Sequence, residues 1–126
     1  MRRLVAAAIL AVLGAVSASV SAKPSDQWQL ELSGSARSNG VIVIRLSPIG
    51  ADPIEVTAQI AAGTSENMVA EALVEALRLQ LSPEVFHAER VDGEDVIIRK
   101  ARGAADFDLQ VISNSVEHVK IRPDRE

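Results

Sequence analysis

Two histidines are the residues of this chain best suited to proton transfer or metal binding near neutral pH. Either chemistry requires a histidine to converge with other His, Asp or Glu side chains. His87 lies in the middle of a predicted strand, where it shares a face with Glu89 and, across a predicted hairpin, with Ile98. His118 lies on a predicted edge strand much further along the chain. Since neither histidine has a recognisable set of partners, we predict that both are strand residues without a catalytic or metal-binding role.

Acidic residues cluster around two predicted turns, where calcium is the ligand to consider. Calcium needs several oxygen atoms that converge at about 2.3–2.6 Å. The carboxylates would gather near one end of a sheet if the predicted fifth and sixth strands pair. The spacing of an EF-hand is absent, however, and turn formation and protection of strand edges account for the same residues. We therefore predict no metal site at Asp92, Glu94, Asp95, Asp106 and Asp108.

Serine residues offer no catalytic triad. The chain contains no Gly-x-Ser-x-Gly segment, which is the turn that exposes the nucleophile of an α/β-hydrolase. The serines lie instead in one predicted loop (Ser33, Ser35 and Ser38) and beside one predicted turn (Ser113 and Ser115).

One basic cluster is formed by Arg99, Lys100 and Arg102, near the end of a predicted strand. Such a cluster can meet an acidic partner, but charges at a strand end commonly stay solvated and protect the strand from aggregation. From all these candidates the sequence predicts no catalytic, cofactor-binding or metal-binding residue and no cofactor.

The composition excludes several classes of function. The chain has 13 basic and 17 acidic residues, and this negative balance disfavours nucleic acid and anionic lipid as partners. Cysteine is absent, which excludes thiol chemistry and disulfides. With one Trp, two Phe and no Tyr, the chain also has little aromatic surface for stacking sugars or bases.

The first 22 residues have the order of a secretory signal. Arg2 and Arg3 give a positive start, residues 4–16 carry no charge, and small residues lead to Ala22. The apolar stretch is shorter than the roughly 20 residues that cross a bilayer. We therefore predict cleavage between Ala22 and Lys23, export to the periplasm or the extracellular space, and no membrane span afterwards. Residues 23–126 would form a single domain with 11 basic and 17 acidic residues, a net charge of −6.

Hydrophobic periodicity predicts seven strands and one helix after the signal. Their order, β-β-β-α-β-β-β(-β), indicates an α+β fold in which one helix packs on a mainly antiparallel sheet. The second and third strands are expected to pair with each other. The predicted strands are residues 27–33, 41–46, 54–60, 85–91, 95–100, 106–111 and 116–122, and the predicted helix is residues 65–79.

The predicted helix is amphipathic. Leu73 and Leu77 fall on its apolar side, and we expect them to be buried against the sheet. Glu71 and Arg78 fall on the opposite side and are expected to face solvent. Pro83 follows the helix and enforces its end.

The Asp92-Gly93 pair predicts a tight hairpin between the fourth and fifth strands, since both central residues of a type I′ turn need positive φ. A two-residue loop would place Arg90 opposite Asp95. At the end of the chain, Pro123 is expected to terminate the last strand and to leave a frayed, charged tail.

The spacing of strands and turns over residues 41–111 resembles small α+β modules of phage tail and baseplate-type structural proteins. The resemblance is carried by an alternating strand at 54–60, Gly63-Thr64, an Ala-rich helix at 68–79, the Asp92-Gly93 hairpin, and a Gly103-Ala104 turn before Phe107. It implies a non-enzymatic assembly or adhesion module, and no functional residues carry over from it.

Taken together, these features predict an exported, non-catalytic module for binding or structural assembly. Its partner would be a protein or a second copy, held at a strand edge or by the two long loops, with residues 28–32 and 116–121 as the expected edges. An alternative is an exported enzyme inhibitor or immunity-type protein acting through a loop, at residues 33–39 or 47–53. A glycosidase that uses only carboxylates is a third class, for which two of them about 5–10 Å apart would be needed.

Overall fold

A computed structural model describes residues 24–126, which form one helix and seven strands. The predicted signal segment, residues 1–22, and its cleavage point lie outside the described residues. No helix in the described part of the chain has the length and apolar character needed to cross a membrane. The elements are β1 (Gln27–Ser33), β2 (Gly40–Pro48), β3 (Ile54–Ile60), α1 (Glu66–Gln80), β4 (Phe86–Val91), β5 (Asp95–Lys100), β6 (Phe107–Asn114) and β7 (Lys120–Arg125).

The strands form two antiparallel sheets, and the helix lies between β3 and β4 in the chain. One sheet has the order β4-β5-β1-β7 and the other has the order β3-β2-β6. The predicted α+β class and order of elements are confirmed, as is the pairing of the second and third strands. The strands that the sequence placed in one sheet are divided between two. The helix contacts β3 in one sheet and β4 in the other, and so spans the two edges.

A short segment before β1 ties the two sheets together on the side away from the helix. Ser25 forms an isolated antiparallel bridge with Phe107, with both backbone bonds at 2.9 Å. The indole Nε1 of Trp28 donates to the same Phe107 carbonyl at 2.8 Å. The single tryptophan therefore satisfies its N–H inside the core while its ring packs between the sheets.

The core lies between the sheets and beneath the helix, and it is built from the alternate residues of each strand. Phe86 and Phe107 meet edge to face with their ring centres 4.9 Å apart. Burial of each large aliphatic side chain contributes about 1.5–3 kcal/mol to folding. Fully buried members include Leu30, Ile42, Ile44, Leu46, Val56, Val69, Leu73, Leu77, Val96 and Ile98.

The helix occupies nearly the predicted range, and its apolar side is the predicted one. Leu73 and Leu77 have no exposed surface. Glu71 is half-buried because its carboxylate accepts from Arg90 Nε at 3.0 Å. Arg78 is exposed, as predicted. Its side chain also donates a hydrogen bond to the backbone of a strand, and the sequence did not predict this contact.

The hairpin between β4 and β5 differs from the prediction by one residue. Asp92 and Gly93 both have positive φ, at 51° and 83°, as the turn signal required. Glu94 joins the loop, however, because its N–H donates to the Asp92 carbonyl at 3.0 Å and not across the ladder. Val91 therefore pairs with Asp95, and every cross-strand neighbour is shifted by one position.

The last strand begins later and ends later than predicted. Residues 116–119 form a turn, in which Asn114 Nδ2 donates to the Val119 carbonyl at 2.8 Å. Pro123 lies inside β7, opposite Leu30, instead of ending it. The outer strands are also partly different from those expected: β7 is at an edge of its sheet, whereas β1, predicted as an edge, lies between β5 and β7.

Candidate functional site

The two histidines do not form a site. His87 is exposed on β4, its Nε2 lies 3.0 Å from the Pro83 carbonyl, and its cross-strand neighbour is Arg99 and not the predicted Ile98. His118 is not in a strand but in the turn before β7, at φ 76°, with Nδ1 3.2 Å from the Ser35 carbonyl. Because β4 and β7 are the opposite edges of a four-stranded sheet, about 14 Å apart at the usual strand spacing, the rings cannot share a metal or a proton.

The predicted acidic group is dispersed, since β5 and β6 belong to different sheets and do not pair. Asp106 forms an ion pair with Lys100 at 2.8 Å, and Asp95 accepts from Gln29 Nε2 at 2.9 Å. Asp108 is buried on β6. Within residues 24–126, no three His, Cys, Asp or Glu side chains come together as metal ligands would.

A different set of charges meets on the outer face of the four-stranded sheet. A shallow depression of about 600 Å³ is lined there by residues of β1, β5 and β7 and by Glu94 of the β4–β5 turn. Arg122 donates to Glu31 at 2.5 Å across the β1–β7 pair, and this bond raises the pKa of the guanidinium. The depression is lined by three acidic and two basic residues, and Arg122–Glu31 is the ion pair formed between them.

The pKa of Asp95, a carboxyl in this depression, is raised above its ordinary value. Partial burial is the main cause, and the negative charges of Glu31, Asp92 and Glu66 add to it, whereas the hydrogen bond from Gln29 opposes the shift. A carboxyl made less acidic by its neighbours can act as a proton donor. Here, however, neither histidine lines the same depression.

Two of the serine candidates and two of the basic candidates have structural partners. Ser38 Oγ accepts from the Glu117 N–H at 3.0 Å, and Ser115 Oγ accepts from the Val41 N–H at 2.9 Å. In the basic cluster, Arg99 forms an ion pair with Glu89 and Lys100 pairs with Asp106. These contacts connect loops and strands to one another.

The two loops considered for inhibition differ in how firmly they are held. In the loop between β1 and β2, Ala36 is buried, donates to the Thr64 carbonyl and accepts from the Gly63 N–H, both at 2.8 Å. In the loop between β2 and β3, Ile49 is 60% exposed at a turn that begins at Pro48. Only the second loop presents a large apolar side chain to solvent.

One side chain of the helix forms hydrogen bonds to the outer edge of β3. Gln80, the last residue of α1, accepts from the Thr57 N–H at 3.1 Å and donates to the Thr57 carbonyl at 2.8 Å. Its carboxamide thus replaces one residue of a neighbouring strand. This contact removes the centre of the β3 edge from partners.

The outer edge of β4 is covered less completely. Ala101 donates to the Val85 carbonyl at 2.7 Å, so the alternation of an antiparallel ladder turns the backbone of Ala88 and Arg90 away from β5. Arg78 Nε donates to the outward Ala88 carbonyl at 2.9 Å. The outward N–H groups of Ala88 and Arg90 have no acceptor among residues 24–126.

A cleft of about 480 Å³ lies along this edge, between β4 and the C-terminal part of α1. Its apolar wall is formed by Leu81 and Phe86, which are 6% and 3% exposed, together with the fully buried Leu77. His87 and Glu89 form its polar rim, and Glu89 is already paired with Arg99. The remaining members of the lining are Arg78, Pro83 and Ala88.

Arg78 is the cation of this cleft that has no ion-pair partner within the described residues. Arg78 and Gln80 both form hydrogen bonds to the backbone of an outer strand, and the sequence did not single out either residue. Their only signal was a polar pair at the end of the helix, which equally fits a solvated terminus. The arrangement can hold an extended backbone, an apolar side chain and an anionic group.

No protein-family profile matches the chain, and no curated protein shows significant similarity to it.

Proposed function

We propose that this protein is an exported, non-catalytic interaction module that binds an extended segment of a partner protein along the outer edge of β4. The observation that carries the proposal is the pair of outward N–H groups at Ala88 and Arg90, which lie beside an apolar cleft. An exposed strand edge binds a peptide through main-chain hydrogen bonds, and an adjacent apolar cleft adds affinity and selectivity. The resemblance to tail and baseplate modules agrees with a role in assembly.

The shape of the cleft favours a single extended segment over a folded partner edge. The cleft is bounded on one side by β4 and on the other by Leu77 and Leu81 at the end of α1. Residues 86–90 of β4 extend for about 13 Å at the usual rise of a strand, which pairs with about four residues of a partner. A second folded sheet would bring further elements against the helix.

Site-specific photo-crosslinking in the producing cells tests this proposal. A photoreactive amino acid at His87, which is exposed on the rim, should capture one partner protein. The matched control is the same amino acid at Glu55, which is exposed on the outer strand β3 of the other sheet. If His87 captures copies of this chain, then the β4 edge binds a second copy and not another protein. Equal capture at His87 and Glu55 would overturn docking at β4.

Arg90→Pro provides the second test, because proline removes an outward N–H without breaking the β4–β5 ladder. The Arg90→Ala variant controls for loss of the guanidinium, which donates to Glu71 and to the Gly93 carbonyl. Partner capture should fall with proline and persist with alanine. If both variants capture the partner as well as the parent does, then the β4 edge is not the docking site.

Inhibition of an enzyme is a second candidate function, and the 60% exposure of Ile49 is what favours it. An apolar side chain on a loop can enter the active site of a target. The same photoreactive amino acid at Ile49 should then capture a single hydrolase, whereas capture at His87 should be weak. The reverse result would exclude inhibition through this loop.

Export is part of the proposal and is tested separately. N-terminal sequencing of the mature protein should begin at Lys23. A soluble cellular product that retains Met1 would contradict export.

A further inference from the structure

We propose that the cleft between α1 and β4 selects segments in which an aspartate or glutamate side chain lies two positions from a large apolar side chain. Arg78 is the residue that would bind the carboxylate. This inference rests on the proposed function, since it names the chemistry of the segment that docks on β4.

The first argument is the hydrogen-bonding capacity of Arg78. A guanidinium has five N–H donors, and Nε of Arg78 uses one of them on the Ala88 carbonyl at 2.9 Å. The donors on its two terminal nitrogens have no acceptor among residues 24–126. Because the Nε bond holds the guanidinium beside the β4 edge, a carboxylate there can be bound in the bidentate manner typical of arginine.

The second argument is the balance of charge within the cleft. Glu89 is the only acidic residue of the lining, and it is already paired with Arg99. The positive charge of Arg78 is therefore the uncompensated charge of the lining, although the chain as a whole has a net charge of −4. An acidic group on the partner is the complement of this local charge.

The third argument is the alternation of side chains along a strand. A segment paired with β4 directs every second side chain to the same face, so residues two positions apart face the cleft together. One of them can cover the exposed apolar surface of Leu81 and Phe86, while the other reaches Arg78. This geometry gives the pattern of an apolar residue, any residue and an acidic residue, in either direction.

An internal acidic side chain fits the edge better than a chain terminus does. Arg78 contacts Ala88, which is in the middle of β4, and the next outward N–H belongs to Arg90. On the other side, the Phe86 N–H is already donated to the Ser82 carbonyl at 3.0 Å. A terminus at Arg78 would leave the partner few backbone groups to pair, whereas an internal residue lets its strand continue.

Fluorescence anisotropy with synthetic peptides tests this selectivity on the mature chain. The probe is fluorescein-labelled Thr-Val-Thr-Leu-Thr-Glu-Thr with an amidated end, together with the peptide of reversed order. At least one of the two should bind, and replacement of its Glu by Gln should weaken binding by about tenfold or more. A third probe carries Gln in place of Glu and a free C-terminal carboxylate. If that probe binds as tightly as the Glu peptide, then an internal side chain is not the source of the carboxylate.

Variants of the chain complete the test. Arg78→Gln should weaken the Glu peptide by the same factor and leave the Gln peptide unaffected, and Arg78→Lys should restore part of the loss. Gln80→Ala is the matched control, because Gln80 contacts β3 and should not change peptide binding. Thermal unfolding of each variant verifies that the fold is intact.

The outcomes separate the two proposals. Equal affinity for the Glu and Gln peptides would overturn the carboxylate inference while leaving β4 docking intact, provided that hydrogen exchange slows at Ala88 and Arg90. Absence of binding by every probe, with crosslinking at His87 still capturing a partner, would overturn the inference alone. Absence of both would overturn the proposed function as well.

Discussion

The two outer edges of the four-stranded sheet, β4 and β7, differ in the backbone groups that they present to a partner. On β4 the outward N–H groups of Ala88 and Arg90 face a cleft bounded by the helix. On β7 the Glu126 N–H donates to the Gln27 carbonyl at 3.0 Å, so alternation turns the backbone of Pro123 outward. Proline has no N–H, and this edge therefore lacks a donor at its centre.

The difference shows that position at the edge of a sheet is not enough to make a docking site. Both strands are outermost, but β7 places a proline and the exposed charged residues Arg122 and Asp124 where a partner would pair. Such features block strand addition. The β4 edge combines free donors with an apolar cleft, and Arg78 covers only the Ala88 carbonyl.

The largest expected effect tests whether the wall of the β4 cleft is part of the core. Leu77→Ala should lower the free energy of unfolding by about 2–5 kcal/mol, since Leu77 is fully buried and also lines the cleft. Ile121→Ala on β7 should cost about 1–2 kcal/mol, because that side chain is only partly buried. Urea unfolding measures the free energy of unfolding of both variants. Similar losses would mean that Leu77 beside β4 and Ile121 on β7 contribute equally to the core.

Proline substitutions within β4 test the assigned direction of its backbone. Glu89→Pro should destabilise the fold by about 1–3 kcal/mol, because the Glu89 N–H points towards Ile97 and its loss leaves a ladder carbonyl unpaired. Arg90→Pro should cost less than about 1 kcal/mol beyond the Arg90→Ala control, since its N–H points outward. If the order of the two proline variants is reversed, then the outward residues of β4 have been misassigned.

Removal of the proline on β7 should make the two edges more alike. Pro123→Ala restores an outward N–H. It should change the free energy of unfolding by less than about 1 kcal/mol, mainly because alanine restricts the unfolded chain less than proline does. We expect this variant to self-associate more than the parent does in sedimentation at high concentration. A variant that remains monomeric under all conditions would show that the neighbouring charges, and not Pro123, protect this edge.

The smallest effect concerns the face between the two edges. The pKa of Asp95 is raised above its ordinary value of 3.8, so the folded state holds its proton more tightly than the unfolded state does. Its contribution to stability is therefore complete below pH 3.8 and is lost as the pH rises through the folded-state pKa. Asp95→Asn should remove this decline, which chemical unfolding at pH 4 and pH 7 would detect. If the stability of the variant has the same pH dependence as that of the parent, then groups other than Asp95 cause the decline.

Local patterns in the sequence were sufficient for the class of fold and for the helix. Leu73 and Leu77 recur at helical spacing, and the structure buries both. The alternation in residues 54–60 matches β3 in full, because the period of two fixes which side chains turn inward. Even the positive φ of Asp92 and Gly93 followed from the two residue types alone.

The candidate site was not predictable in the same way, because it depends on contacts between residues distant in the sequence. Arg78 and Gln80 both lie in the last turn of α1, but they contact different sheets. Nothing in their types or spacing distinguishes them from solvated residues at a helix end. Similarly, the pattern of Trp28 and Leu30 describes a half-buried strand, which is equally compatible with the edge or the middle of a sheet.

Apart from the bounds of the last strand, the sequence by itself thus determined which segments are strands or helix and which face of each is apolar, since these properties depend on neighbours within a few residues. The tertiary structure alone decided which strands are outermost. It also decided that the odd-numbered residues of β4 pair with β5, and that an arginine of the helix lies beside the free edge. Backbone donors and acceptors are the same at every residue apart from proline, so side-chain patterns carry little information about which strand a given edge will pair with.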